Sequence, residues 1–262
     1  MNPILSLRHI SLSYGHFKAL NGISLDAMPG ERLAIIGPNG SGKSSLFDVI
    51  SGFAKREAGE IWLNGQRIDR LSCQKRCRAG LVRSFQTSRL FAQMTVLEHV
   101  QCAAFFPKTR PWQRYAFWCG MHRMANVHDA AQAALQHVGL ERYAQEQAGS
   151  LSYANQRLLE LAIVLATDAK VLLLDEPTAG LSRAETQDFL GRIDTLAKDR
   201  TILMIEHDMS VVFQLAHRVV VLAQGQVLAC DTPQAIQRNQ QIQQLYLSGK
   251  NTETLLPGEP LC

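Results

Sequence analysis

Residues 35–52, IIGPNGSGKSSLFDVISG, gather four glycines (Gly37, Gly40, Gly42 and Gly52) around one lysine, Lys43, with Ser44 and Ser45 directly behind it. Glycine weakens helices and strands alike, so a stretch this rich in it serves a purpose that side chains would obstruct. LAIIG (33–37) reads as a buried strand, and KSSLFDVISGF (43–53) sets Leu46, Phe47, Val49 and Ile50 at helical spacing. Between them, Gly37-Pro38-Asn39-Gly40-Ser41-Gly42-Lys43-Ser44 satisfies G-x-x-x-x-G-K-[ST] in full. Glycines let backbone N–H groups curl around phosphate oxygens without a Cβ in the way. The helix N-terminus adds the positive end of its dipole. Lys43 supplies a mobile charge for β- and γ-phosphates, and the Ser44 hydroxyl is a ligand for Mg2+. A chance run of glycines in an ordinary turn does not account for the strand and helix that flank it. The loop predicts a nucleotide site.

A second signal lies downstream. AKVLLLDEP (169–177) is an apolar strand ending in Asp175-Glu176. A carboxylate at the C-terminal end of a strand faces the ligand crevice of a doubly wound sheet. Asp175 is expected to hold Mg2+ through water, and Glu176 to orient an attacking water. Two acids before a proline turn are common alone; beside a phosphate loop they gain meaning.

Bulk properties exclude several other classes. The 262 residues carry a net charge of +4, too mild by itself to imply nucleic acid. No dedicated nucleic-acid-binding domain is found, so no nucleic acid is expected as a partner. The start MNPILSLRHISLSYG lacks a basic segment followed by an apolar core, so no signal peptide is expected. No run approaches the ~18 apolar residues of a membrane span. The six cysteines (73, 77, 102, 119, 230 and 262) include no CxxC pair and are expected as reduced thiols.

Taken in order, these and other motifs resemble the ATP-binding subunits of ABC transporters over nearly the whole chain. The resemblance implies that Tyr14, in SLSYGHFKAL, stacks on adenine. VRSFQTSRLFAQMTVLEHV (82–100) looks like the Q-loop, with Gln86 at Mg2+ and sensing the γ-phosphate. LSYANQRLLELAIVLATDAKVLLLDEPTAGLS (151–182) resembles the ABC signature, Walker B and D-loop, and His207 in TILMIEHD matches the switch histidine. The implied catalytic set is Glu176, His207 and Gln86, with ATP as nucleotide. The implied ATP contacts are Tyr14 and Gly37 through Ser45. Two subunits would sandwich two ATP molecules, each site completed by Ser152, Tyr153, Ala154 and Asn155 of the opposite chain.

The signature departs from L-S-G-G-Q. Tyr153 and Ala154 replace its glycines, and Ser182 stands where the D-loop carries aspartate. Lys43, Asp175, Glu176 and His207 all match, a pattern that suits a heterodimer with a second, non-identical ATP-binding subunit. Residues 99–128 hold no acid but Lys108, Arg110, Arg114 and Arg123, interleaved with Phe105, Phe106, Trp112, Tyr115, Phe117 and Trp118. They read either as an internally packed helical hairpin or as a surface docking transmembrane subunits near anionic headgroups. This insertion, with TVLEHV, AGLS, the Asp231–Ile236 turn and Leu245-Tyr246-Leu247, resembles the branched-chain amino-acid importer branch; a lipid or lipopolysaccharide exporter and a soluble ABC ATPase are the alternatives. The importer resemblance implies two transmembrane permease subunits, an extracytoplasmic solute-binding protein, and a peripheral place on the cytoplasmic face of the membrane. The expected fold is α/β, a phosphate-loop NTPase with a mixed sheet and an inserted helical subdomain at about 87–167. One ATP-binding domain is expected over residues 1–250, with 251–262 loosely ordered.

Overall fold

In the computed structural model, residues 2–84, 90–108, 124–196 and 200–242 are described. Their strands divide over two sheets, where the sequence suggested one. Four antiparallel strands run in the order β2 (Phe17–Ala27), β1 (Leu5–Tyr14), β4 (Ala58–Leu63), β5 (Gln66–Arg67). Alternation explains them: Leu5 and Leu7 of β1 are buried and Arg8 is exposed, the pattern of a sheet wetted on one side. The second sheet has six strands in the order β10 (Gln226–Asp231), β9 (Arg218–Ala223), β3 (Arg32–Ile36), β8 (Thr201–Ile205), β7 (Val171–Asp175), β6 (Leu81–Arg83). All its neighbours pair in parallel except β10, which makes the sheet mixed. Its central strands are near-continuous apolar runs, as burial on both faces demands.

The two faces of this sheet bury different layers. Leu33, Ile35, Leu173, Leu203, Val220 and Leu222 point toward α1 (Lys43–Ser51) and the antiparallel sheet. Ala34, Ile36, Leu172, Leu174, Met204 and Val221 point toward the remaining core helices. Helix α1 thus lies between the two sheets, its Leu46, Phe47, Val49 and Ile50 almost fully buried. Beyond α1, α2 (Cys73–Arg78) carries the buried Arg76, whose guanidinium donates to the carbonyls of Val49 (2.6 Å) and Ile50 (2.7 Å). A cation on the last carbonyls complements the negative end of the α1 dipole. The N-terminus of the same helix forms the back of the phosphate loop.

Between β6 and β7 the chain leaves the sheet for α3 (Val96–Lys108), α4 (Ala125–Val138) and α5 (Tyr153–Ala166). Val100, Ala131, Leu135 and Leu159 are fully buried among them. Helix α3 starts with a capping box: Glu98 N donates to Thr95 Oγ1, and Thr95 N donates to Glu98 Oε2 at 2.8 Å. Residues 109–123, which carry most of the basic and aromatic stretch, lie outside the described residues, as do Gln86 and Leu245–Leu247. The chain continues through α6 (Arg183–Leu196), α7 (Met209–Leu215) and α8 (Pro233–Arg238). Of the cysteines, Cys73, Cys77 and Cys102 are free thiols.

Parallel pairing places the active ends together. Ile35 of β3 and Asp175 of β7 both register with Ile205 of β8. The residues just beyond those ends, Gly37, Glu176 and His207, therefore emerge on one edge. Phe47 holds that edge in place by filling the space between the sheets. Phe47→Ala should lower the unfolding free energy by about 3–5 kcal/mol, read from the denaturant midpoint; a change below about 1 kcal/mol would show that the two sheets do not depend on this layer.

Candidate nucleotide site

The phosphate loop is forced by close backbone contacts. Gly37 has φ 154° and Gly42 φ 101°. A Cβ on Gly37 would stand 2.1 Å from the Leu222 carbonyl oxygen, and one on Gly42 2.6 Å from that of Ala19. Glycine alone fits at either position. Gly225 N donates to Ser41 O at 3.1 Å, so the β9–β10 turn ties the loop from outside. Leu46 N donates to Gly42 O at 2.8 Å as α1 begins. Ser41 is buried, and its Oγ has no hydrogen-bond partner among the described residues. An orphaned buried hydroxyl on this tightly curled loop fits a polar, oxygen-rich ligand.

Lys43 is only 6% exposed and reaches back across the loop, donating to Gly37 O (2.8 Å) and Pro38 O (2.9 Å). Burial pushes its ammonium pKa down, while the nearby Glu176 and Asp175 pull it up. The loop borders a cleft of about 220 Å3. Tyr14 and Phe17, opposite each other across the β1–β2 hairpin, line one part; Asn39 through Ser45 line another; Glu176 and His207 complete it. The sequence singled out Tyr14 but not Phe17, which is 62% exposed. Its signal was available: a residue opposite Tyr14 across a Gly15-His16 turn shares its face.

The acidic edge is equally specific. Glu176 has φ 47°, a left-handed conformation rare for a side chain of its size. Its Oε1 lies 2.5 Å from His207 Nε2. Beneath them Glu206 is buried; its Oε1 accepts from Thr178 Oγ1 at 2.9 Å and its Oε2 from His207 N at 3.3 Å. Burial pushes the Glu206 carboxyl pKa up, against those hydrogen bonds. Asp175 is also buried, and its Oδ2 accepts from Arg83 Nη2 at 2.7 Å. Arg83 reaches Asp48 of α1 at 2.5 Å with its other nitrogen and stands 5.6 Å over the Phe47 ring. Arg83, Thr178 and Glu206 went unnoticed in the sequence because their partners lie far away along the chain.

The expected signature residues stand apart from this cleft. Ser152 caps α5, its Oγ accepting from Asn155 N at 3.3 Å. Tyr153, Ala154 and Asn155 form the first turn of that helix, and none of the four lines the cleft of their own chain. Ser182, the other departure, makes a capping box with Glu185: Ser182 N donates to Glu185 Oε2 at 2.8 Å. Its hydroxyl hydrogen bond holds the exposed Glu185 carboxyl below its ordinary pKa.

A glycine-cradled loop on a helix N-terminus, beside paired acids at the ends of parallel strands, defines a phosphate-loop nucleoside triphosphatase. Residues 20–179 match the model of the "ABC transporter" family, and the chain belongs to that family. It is thus an ATP-binding cassette, an ATPase of the kind that hydrolyses ATP to drive transport. Among curated relatives, the high-affinity branched-chain amino acid transport ATP-binding protein LivG of Escherichia coli (strain K12) is 37% identical over 249 residues, 94% of this chain and 98% of that one. BraF of Pseudomonas aeruginosa, described in the same words, is 36% identical over the same share of each chain. Among solved structures, an ATP-binding cassette of an ABC transporter in its ADP conformation superposes with a TM-score of 0.84 at 29% identity, covering 94% of this chain and 99% of that one. Among the described residues no helix is long and apolar enough to cross a membrane.

Arg83 offers a direct test of the acidic edge. Arg83→Met strips Asp48 and the buried Asp175 of their shared cation, and should cost about 3 kcal/mol in unfolding free energy. Chemical denaturation reads this; a loss below about 1 kcal/mol would mean that solvent already screens the pair.

Proposed function

We propose that this chain is the ATP-hydrolysing subunit of an importer for branched-chain amino acids or related small polar solutes such as amides. The observation that carries the chemistry is the meeting of the phosphate loop with the Glu176–His207 pair in one cleft. The importer class draws on LivG and BraF, which match the chain almost end to end.

In this reading the loop amides and Lys43 hold the β- and γ-phosphates, with Tyr14 against adenine. Phosphoryl transfer to water is driven by positioning and charge, with no covalent intermediate. Glu176 orients the attacking water and draws its proton. His207, hydrogen-bonded to that carboxylate, keeps the γ-phosphate and water in line. Ser44, Gln86 and Asp175 would hold Mg2+, whose role is to neutralise phosphate charge. Hard oxygen donors suit that ion. Among the described residues no group of three His, Cys, Asp or Glu side chains is placed to hold a metal, and phosphates and water would complete the coordination.

Ser152, Tyr153, Ala154 and Asn155 serve the nucleotide of an opposing subunit, consistent with their distance from the chain's own loop. Ala154 in place of glycine favours a non-identical partner. Two transmembrane permease subunits and an extracytoplasmic solute-binding protein complete the assembly, with this chain peripheral on the cytoplasmic face. A groove of about 440 Å3 lined by Leu90, Phe91, Met94, Ala103 and Ile163, adjoining Arg83 and Ser84 ahead of Gln86, supports docking of a permease segment there. Residues 1–250 form the ATP-binding domain, with α3–α5 inside its helical insertion at about 87–167.

Glu176→Gln tests the reading. It removes the water-orienting charge without opening the loop, so the assembled transporter should bind ATP with unchanged affinity while turnover drops about 100-fold or more. Hydrolysis at the wild-type rate would refute the assigned role.

A further inference from the structure

Tyr153, assigned above with its neighbours to an opposing nucleotide, also has specific surroundings within its own chain. Its hydroxyl donates to the carbonyl oxygen of Ala179 at 2.9 Å. It accepts from Arg157 Nε at 3.1 Å, and the same guanidinium lies 5.4 Å over its ring. Arg157 is buried and donates in turn to Glu160 at 3.0 Å. The hydroxyl is therefore aimed from within α5 at the 176–182 loop.

The loop is shaped to receive it. Gly180 has φ +79°, and a Cβ there would fall 2.9 Å from Tyr153 Cε1 and 3.1 Å from its Oη. A Cβ at 180 would press on the outer edge of the ring, so the half-exposed ring occupies the space that the glycine leaves. The loop closes on itself through Ala179 N to Glu176 O (3.1 Å) and Leu181 N to Thr178 O (3.2 Å). Its base is fixed by Thr178 on Glu206. The tip is fixed by Tyr153. Glu176, in its left-handed conformation, lies two residues before Thr178 and is joined to the tip through the Ala179 N–H on its carbonyl.

We infer that Tyr153 is a positioning residue: it latches α5 of the helical insertion to the loop that carries Glu176, within one chain. A glycine at 153 has neither hydroxyl nor ring and cannot make this connection. Any motion that brings Ser152–Asn155 toward an opposing nucleotide then carries the 176–182 loop with it. The catalytic consequence rests on the role assigned to Glu176; the latch itself does not.

Amide hydrogen exchange of the full-length chain, without nucleotide, separates the two. Tyr153→Phe removes one hydrogen bond and should speed exchange at Ala179 and Leu181 about three- to tenfold, leaving the β7 and β8 amides unchanged. Tyr153→Ala should speed it further. Gly180→Ala should open the loop more in the wild type than in the Tyr153→Ala background, where the ring is gone; backbone strain is common to both arms and cancels. In the assembled transporter, Tyr153→Phe should lower kcat by a similar factor with KM for ATP unchanged. Unchanged loop exchange in both Tyr153 variants overturns the latch. So does a drop in turnover without faster exchange, which would confine Tyr153 to the opposing nucleotide. If the wild-type assembly hydrolyses no ATP, the ATPase reading fails while exchange still decides the latch.

Discussion

The structure depends on one steric constraint: the chain between β3 and α1 must pass so near its neighbours that no Cβ is tolerated. Gly37 runs against the Leu222 carbonyl and Gly42 against that of Ala19. Both partners belong to the surrounding sheets, so the curvature of the loop is imposed from outside. The amides that turn inward as a result are a consequence of packing. Lys43 completes the arrangement by crossing the loop it belongs to, held by two of its carbonyls.

Around that loop, charges are fixed by burial and pairing. Asp175 sits at a strand end where desolvation would be costly without a partner, and Arg83 supplies one while also holding Asp48 of the loop helix. Three elements, α1, β6 and β7, are joined by one guanidinium. Glu206 plays a similar part on the other side, joining the loop after Glu176 to the backbone of His207. The Glu176–His207 contact is thus supported from two directions, which is what a group that must orient a water molecule requires. Attachment of the same loop to α5 through Tyr153 extends this support into the helical insertion.

Local patterns were legible in the sequence; distant partnerships were not. The phosphate loop, the apolar strand ending in Asp175-Glu176 and the strand before His207 each occupy a few consecutive residues, so period and composition reveal them. Division of the strands into two sheets could not be read, because β2 and β4 each pair antiparallel with β1, and β4 does so only after the chain has passed through β3 and α1. Arg83 meets carboxylates 35 and 92 residues away, and Tyr153 meets Ala179 26 residues on. A single sequence holds no record of such meetings. Two of the three departures acquired reasons only in three dimensions: Ser182 caps α6, and Tyr153 packs on the loop at Gly180.

The central claim is that a triphosphate is held by main-chain amides curled by glycine together with one buried ammonium. Affinity of the purified chain for a slowly hydrolysed ATP analogue, compared between wild type and Lys43→Ala, tests it most directly. Loss of a charge-assisted contact of about 3 kcal/mol corresponds to roughly 100-fold weaker binding, and that is the predicted result. Wild-type affinity in the variant would contradict the account, since the loop would then hold nucleotide without the charge it was built around.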